Sequence, residues 1–324
     1  MTLSSVVKLF SVLLLSTVIV SFTLPKKSKT INIAPVAKKE IPEAITVAKE
    51  YTPLRQCQNS KLQKALEQTL NANPTWKKLI QMKKLSVGLV DLRDFSNAKY
   101  AAVNGKEMMY AASLPKIAIL LAAMDAIDKG ELKDTKEVRN DMHLMIAKSN
   151  NQASTRMIDR VGYKKISDVL MSPEYALYDR THGGGLWVGK RYAAGGARNP
   201  EPMKGLSHAA TAEQVCRYYY KLANGALVNE KRSKEMMDIL VNPKLHHKFV
   251  NTLDKIAPNA KVYRKSGSWS NYHSDSAMVI GDASRKYIMV ALTEDPAGEQ
   301  IIRQLVYAVE KAMKISKKPK LATK

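Results

Sequence analysis

Cysteine is nearly absent from this chain: Cys57 and Cys216 are the only two in 324 residues. So low a count excludes a disulfide-built scaffold. An oxidising compartment would permit one bridge between them, but Cys216 falls within an amphipathic helical pattern and reads better as a small buried apolar side chain. His246 and His247 are adjacent and lack a third ligand at metal-binding spacing, so no metal is expected, nor any other cofactor. Acidic residues are scarce, 29 against 52 basic ones, for a net charge of +23. Such an excess suits nucleic acid, yet no zinc-finger, RNA-recognition or basic-zipper pattern accompanies it, and nucleic-acid binding is not expected. The lysines gather at 26–39 and 311–324. They suit association with an anionic cell envelope, or simply a solvated surface. Internal repeats are absent.

One apolar run stands apart. Leu9 to Leu24 is preceded by Lys8 and reads as the apolar core of an export signal. It is slightly short for a membrane span. The stretch Phe22-Thr-Leu-Pro-Lys-Lys is a poor cleavage site, so residues 1–24 are expected to be a signal peptide or a retained N-terminal anchor. Either way an exported protein is expected, periplasmic or secreted. Four prolines between residues 25 and 53 mark a linker, and 317–324 reads as a basic tail.

The most informative stretch is Tyr110-Ala-Ala-Ser-Leu-Pro-Lys-Ile-Ala-Ile-Leu-Leu, which sets Ser113 and Lys116 one helical turn apart. Pro115 suits a helix start, and the apolar run Ile117–Met124 a helix buried on most of its surface. A serine there, with an amine able to reach back to its hydroxyl, has the composition of a nucleophile with its own base. The helix dipole disfavours charge on the lysine and favours negative charge at the serine. Alone, Ser-x-x-Lys would usually be a helix cap followed by a surface lysine. Downstream, however, lie Ser149-Asn150-Asn151 and Lys265-Ser266-Gly267, in the order of the S-x-x-K, S-D-N and K-T-G triplet.

With these three motifs, and with Leu85-Ser-Val-Gly-Leu-Val-Asp-Leu and Ala210-Thr-Ala-Glu-Gln-Val-Cys-Arg around them, the chain resembles the class A β-lactamase family over most of residues 54–316. The resemblance implies a serine acyl-hydrolase of β-lactam-type substrates. Ser113 would be the nucleophile and Lys116 its base, with a pKa lowered by burial and by neighbouring positive charge. Ser149 would relay a proton to the leaving nitrogen, and Asn151 would bind the substrate's side-chain amide. Lys265, Ser266 and Gly267 would hold the substrate on a strand, its carboxylate at Lys265 and Ser266. The oxyanion hole would be the backbone N–H groups of Ser113 and Ser268. A monomer is expected, with a β-lactam or a peptidoglycan-derived compound as its small-molecule partner.

Two departures stand out. Asn150 replaces the usual aspartate, at a position that is structural in such a site. The glutamate of an E-x-x-L-N element, which activates the deacylating water, has no counterpart between residues 160 and 208. Glu174, Asp179 and Glu201 are the acids that could replace it. His182-Gly-Gly-Gly occupies this region instead. The same tetrad forms an oxyanion loop in lipases, but no G-x-S-x-G elbow follows, so a close turn lining the cleft is the better reading, with His182 or Trp187 facing substrate as a lesser one. Acylation machinery is thus complete, while fast deacylation is in doubt. A related peptidase, amidase or esterase, or a non-catalytic peptidoglycan-binding module, is the alternative function.

Strand composition at Leu85–Leu92, Lys99–Val103, Lys261–Gly267, Ala277–Ile280 and Tyr287–Leu292 brackets a helical middle. The expected fold class is α+β in three layers. One antiparallel sheet, flanked by terminal helices, forms a lobe from about 54–110 and 250–316. An all-helical lobe, about 111–249, is inserted in it, with the site at the seam.

Overall fold

The computed structural model describes residues 52–315. The expected export segment (1–24), nearly all of the linker (25–53) and the basic tail (317–324) lie outside the described residues.

Asparagines and threonines start most of the helices, each accepting a hydrogen bond from a backbone N–H of the first turn. Asn59 caps α1 (Ser60–Asn71) through Leu62 N at 2.9 Å, and Asn73 caps α2 (Pro74–Gln81). Strands β1 (Leu85–Asp91), β2 (Lys99–Val103) and the short β3 (Met109–Tyr110) follow. The middle of the chain holds α3 (Lys116–Asp128), α4 (Lys136–Ala147), α5 (Asn151–Val161) and α6 (Tyr163–Met171). Four short strands then break the helical pattern: β4 (Tyr178–Asp179), β5 (Gly184–Gly185), β6 (Trp187–Val188) and β7 (His208–Ala210). Helices α7 (Ala212–Ala223), α8 (Glu230–Leu240) and α9 (Phe249–Ile256) lead to β8 (Lys261–Trp269), β9 (Tyr272–Ile280), β10 (Lys286–Glu294) and α10 (Gly298–Ala312).

The main sheet has the order β2-β1-β10-β9-β8 and is antiparallel throughout. Its alternating side chains enter two separate cores, as period-two strands buried on both faces require. Ile288, Val290 and Leu292 meet the core built around α3 and α7, while Tyr287, Met289 and Ala291 meet the core beneath α1, α2, α9 and α10. The α+β architecture and the strands expected at both ends are therefore present. Helix α3 is buried on nearly every side, as its apolar run requires. Both thiols are free, Cys216 buried within α7. Strand β8 is an edge of the sheet, which leaves its cleft side without a strand partner from Lys265 onward.

Candidate active site

Ser113 stands in the turn ahead of α3 rather than at its first residue, which is Lys116. Tight i-to-i+3 bonds, Lys116 N to Ser113 O and Ile117 N to Leu114 O at 3.3 Å each, wind this turn into the helix. The preceding Ala112 holds a positive φ of 49°. A non-glycine residue in that region is strained and turns the chain sharply just before the serine.

The Lys116 side chain is fully buried. Its amine does not turn back to the Ser113 hydroxyl, as the one-turn spacing suggested. It donates to Ser149 O at 2.7 Å and Asn151 Oδ1 at 2.8 Å, approaches Ser149 Oγ at 3.4 Å, and lies 4.3 Å above the Tyr192 ring. Two strong acceptors outcompete a hydroxyl for an ammonium donor. Burial lowers the Lys116 pKa to about 7. Ser149, itself at φ 53°, also receives Lys265 Nζ at 2.9 Å. One hydroxyl therefore links two buried amines from α3 and β8. Burial, then repulsion from Lys116, drives Lys265 well below the usual lysine range. Asn150 caps α5 through Ala153 N at 2.8 Å. Asparagine serves there as well as aspartate, which accounts for the altered middle motif.

On the strand side, Gly267 is demanded by contact. A Cβ there would strike Ala111 O and sit 2.5 Å from Ser113 N and 2.8 Å from Leu114 N. Only glycine lets β8 pass this close to the serine turn, so Gly267 meets the Ser113 backbone directly, with Ser268 next in the strand. Ser266 Oγ pairs with His247 Nε2 at 3.2 Å. Beneath them lies Lys248, fully buried, which the sequence reading did not single out. Its amine donates to Gly267 O, to Ser268 Oγ at 2.7 Å and to Ser274 O at 3.1 Å, tying β8 to β9. Burial lowers its pKa to about 8. The neighbouring Arg264–Asp275 pair, 2.8 Å apart and buried, anchors the same segment through Leu245 O and His247 O.

A cavity of about 700 Å³ opens beside Asn151 and Tyr192. No carboxylate is among the described residues that line it. Glu201 is buried elsewhere, where it accepts Tyr178 OH, Met203 N and Lys204 N. Asp179 binds Arg55, Thr181 and His182, and Glu174 is exposed. The glycine tetrad does not line the cleft as expected. Cβ atoms at Gly183 and Gly185 would strike Lys106 O and Leu177 O, so these glycines serve close backbone packing. Nor do His182 and Trp187 face the cavity: His182 Nδ1 lies 2.7 Å from Asp179, and buried Trp187 donates to Asn199 O at 2.7 Å. The cavity wall of Tyr192 and His208 lay in stretches without periodicity or motif, and nothing in the sequence marked it.

Comparison with known proteins agrees with this fold. A β-lactamase from Sphaerobacter thermophilus is 18% identical, with a TM-score of 0.61 over 78% of this chain and 98% of its own. PBP-A is 20% identical, with a TM-score of 0.57 over 79% of this chain and 97% of its own. A mutant class A β-lactamase of the last common ancestor of Gram-negative bacteria is 16% identical, with a TM-score of 0.60 over 75% and 98%. No curated protein sequence matches the chain. Residues 71–142 and 137–313 match the Beta-lactamase enzyme family, and the chain is a divergent member of that family.

Proposed function

We propose that this protein is a serine acyl-enzyme, acylated at Ser113 by β-lactam-type substrates and slow to release the acyl group. The observation that carries this reading is the Lys116–Ser149–Lys265 chain of contacts, set against the one place where Gly267 touches the Ser113 turn. Neutral Lys116 takes the Ser113 proton as Oγ attacks the carbonyl carbon. The N–H groups of Ser113 and Ser268 receive the oxyanion, a contribution of about 3–4 kcal/mol per donor in such sites. Collapse breaks the C–N bond, and the nitrogen takes a proton through Ser149 Oγ, resupplied from Lys116. An ester on Ser113 and a free amine result. Asn151 binds the acyl amide, while Lys265 and Ser266 hold the carboxylate.

Hydrolysis of that ester requires a base against a water, and the carboxylate-free lining of the cavity argues for slow release. PBP-A, similar in fold, has been captured as an acyl-enzyme complex with penicillin G. Slow release equally suits a peptidase acting on peptidoglycan-derived peptides that penicillin traps. Export would place the enzyme with such substrates. Intact-protein mass spectrometry with benzylpenicillin tests the reading. One long-lived adduct per chain, lost in Ser113→Ala, is expected. An adduct persisting in that variant would overturn it.

A further inference from the structure

We propose that the cavity beside Tyr192 is an acyl-side subsite for substrates carrying a second negative charge next to a flat, unsaturated group. The inference rests on the acyl-enzyme reading and deepens it.

The cavity starts at Asn151, whose carbonyl holds Lys116, and neither Lys265 nor Ser266 lines it. Its Tyr192 hydroxyl donates to Ala112 O at 3.3 Å, immediately before Ser113, and Trp269 at the end of β8 also lines it, so the cavity adjoins the nucleophile turn beyond Lys265, where the remaining arm of an acyl group could extend. Three cations line it: Lys190, Arg191 and Arg198. Arg191 is neutralised by Asp159 at 2.6 Å. Lys190 and Arg198 form no ion pair among the described residues, and a backbone bridge sets them side by side. In a chain with a surplus of positive charge, unpaired cations on open surface are ordinary. Two of them in a carboxylate-free cavity beside a nucleophile form a receptor for an anion. Buried His208 adds no charge, since burial holds its pKa at about 4.

Much of the remaining wall is aromatic. Tyr110 meets Tyr272 edge to face at 5.3 Å, and Tyr192 lies 4.3 Å from His208. Trp269, also lining the cavity, is 66% exposed. Such surfaces favour a planar apolar group over a flexible polar one.

Three penicillins that differ at one side-chain carbon supply the test: benzylpenicillin (neutral), carbenicillin (an added carboxylate) and ampicillin (an added ammonium). Second-order acylation of Ser113 should be fastest for carbenicillin, on the order of tenfold above benzylpenicillin, with ampicillin slowest. The preference should shrink as salt is raised. In the double variant Lys190→Gln, Arg198→Gln, the ratio of carbenicillin to benzylpenicillin rates should fall to about one. Equal rates for all three on the parent protein, or an unchanged ratio in the variant, would overturn the subsite while leaving acylation at Ser113 intact. If none of the three acylates Ser113, the acyl-enzyme reading falls. The subsite is then decided by Trp269 fluorescence: quenching by phenylmalonate well below the concentrations needed for phenylacetate supports it, and no difference removes it.

Discussion

The rate of acylation should follow the protonation of one buried amine. With its pKa lowered to about 7, Lys116 is about one-tenth neutral at pH 6, half neutral at pH 7 and about nine-tenths neutral at pH 8. The second-order rate constant for benzylpenicillin should therefore rise about tenfold per pH unit below 6 and bend over near 7. His208 and His247, both lowered to about 4 by burial, are already neutral across this window and cannot cause the bend. Burial rather than Lys265 lowers Lys116, so Lys265→Gln should acylate more slowly but keep the bend. The same shift couples to stability. An unfolded chain keeps this lysine protonated up to about pH 10.4, so between pH 7 and that value it binds more protons than the folded one. Stability should thus rise with pH across the window, with Lys116 contributing about 5 kcal/mol in all. Below pH 7 that contribution is lost, and Lys116→Met should make the rise shallower, leaving the part that the lowered Lys248 and Lys265 supply in the same window. Stopped-flow acylation between pH 5 and 8, beside urea unfolding at pH 7 and 9, provides the measurements. A rate flat from pH 5 to 7, or one climbing tenfold per unit to pH 8 without bending, would refute a lysine base of this pKa.

Three further outcomes are expected. Gly267→Ala forces β8 away from the Ser113 turn, so it should cost about 1–3 kcal/mol in urea unfolding and slow acylation beyond what that loss explains; a parent-like acylation rate would show that the close approach is incidental. Asn150→Ala should lose about 1 kcal/mol with the α5 cap, whereas Asn150→Asp should keep it, as thermal melts at pH 7 would show. Glu201→Gln should lower the melting temperature, because three hydrogen-bond donors face its carboxylate, yet leave the decay of the acyl adduct unchanged. Faster or slower decay would make Glu201 part of deacylation after all.

Much of this was legible in the residues. The long strands were legible by composition, β9 (Tyr272–Ile280) only over its last four residues, and the Asn59 cap with Leu62, Leu66 and Leu70 at four-residue spacing marks α1. Ser113, Lys116, Ser149 and Lys265 carried their signal in motif order; the structure joins Lys116, Ser149 and Lys265 by contact and sets the Ser113 backbone against Gly267. The site's remaining parts had no such signal. Lys248 follows two histidines in an irregular stretch, and its burial depends on β8 and β9 closing over it. The glycine tetrad showed that a tight turn was needed but not which backbone it would meet. Gly183 answers to Lys106, a contact across nearly eighty residues that no local pattern encodes.

The hydrogen bond from Lys265 to Ser149 spans 116 residues of chain, and the sheet that presents Lys265 pairs β1 with β10, strands from opposite ends of the described residues. Contacts of such sequence separation form late, because the loop they close must be ordered first. Under the proposed function, competence to react with a penicillin is therefore a clock for the final docking event. During refolding, helical signal should return before reactivity does, and under mild denaturant reactivity should fade before the helices melt. A fluorescent penicillin thus reads the order of assembly as well as the chemistry of the finished cleft.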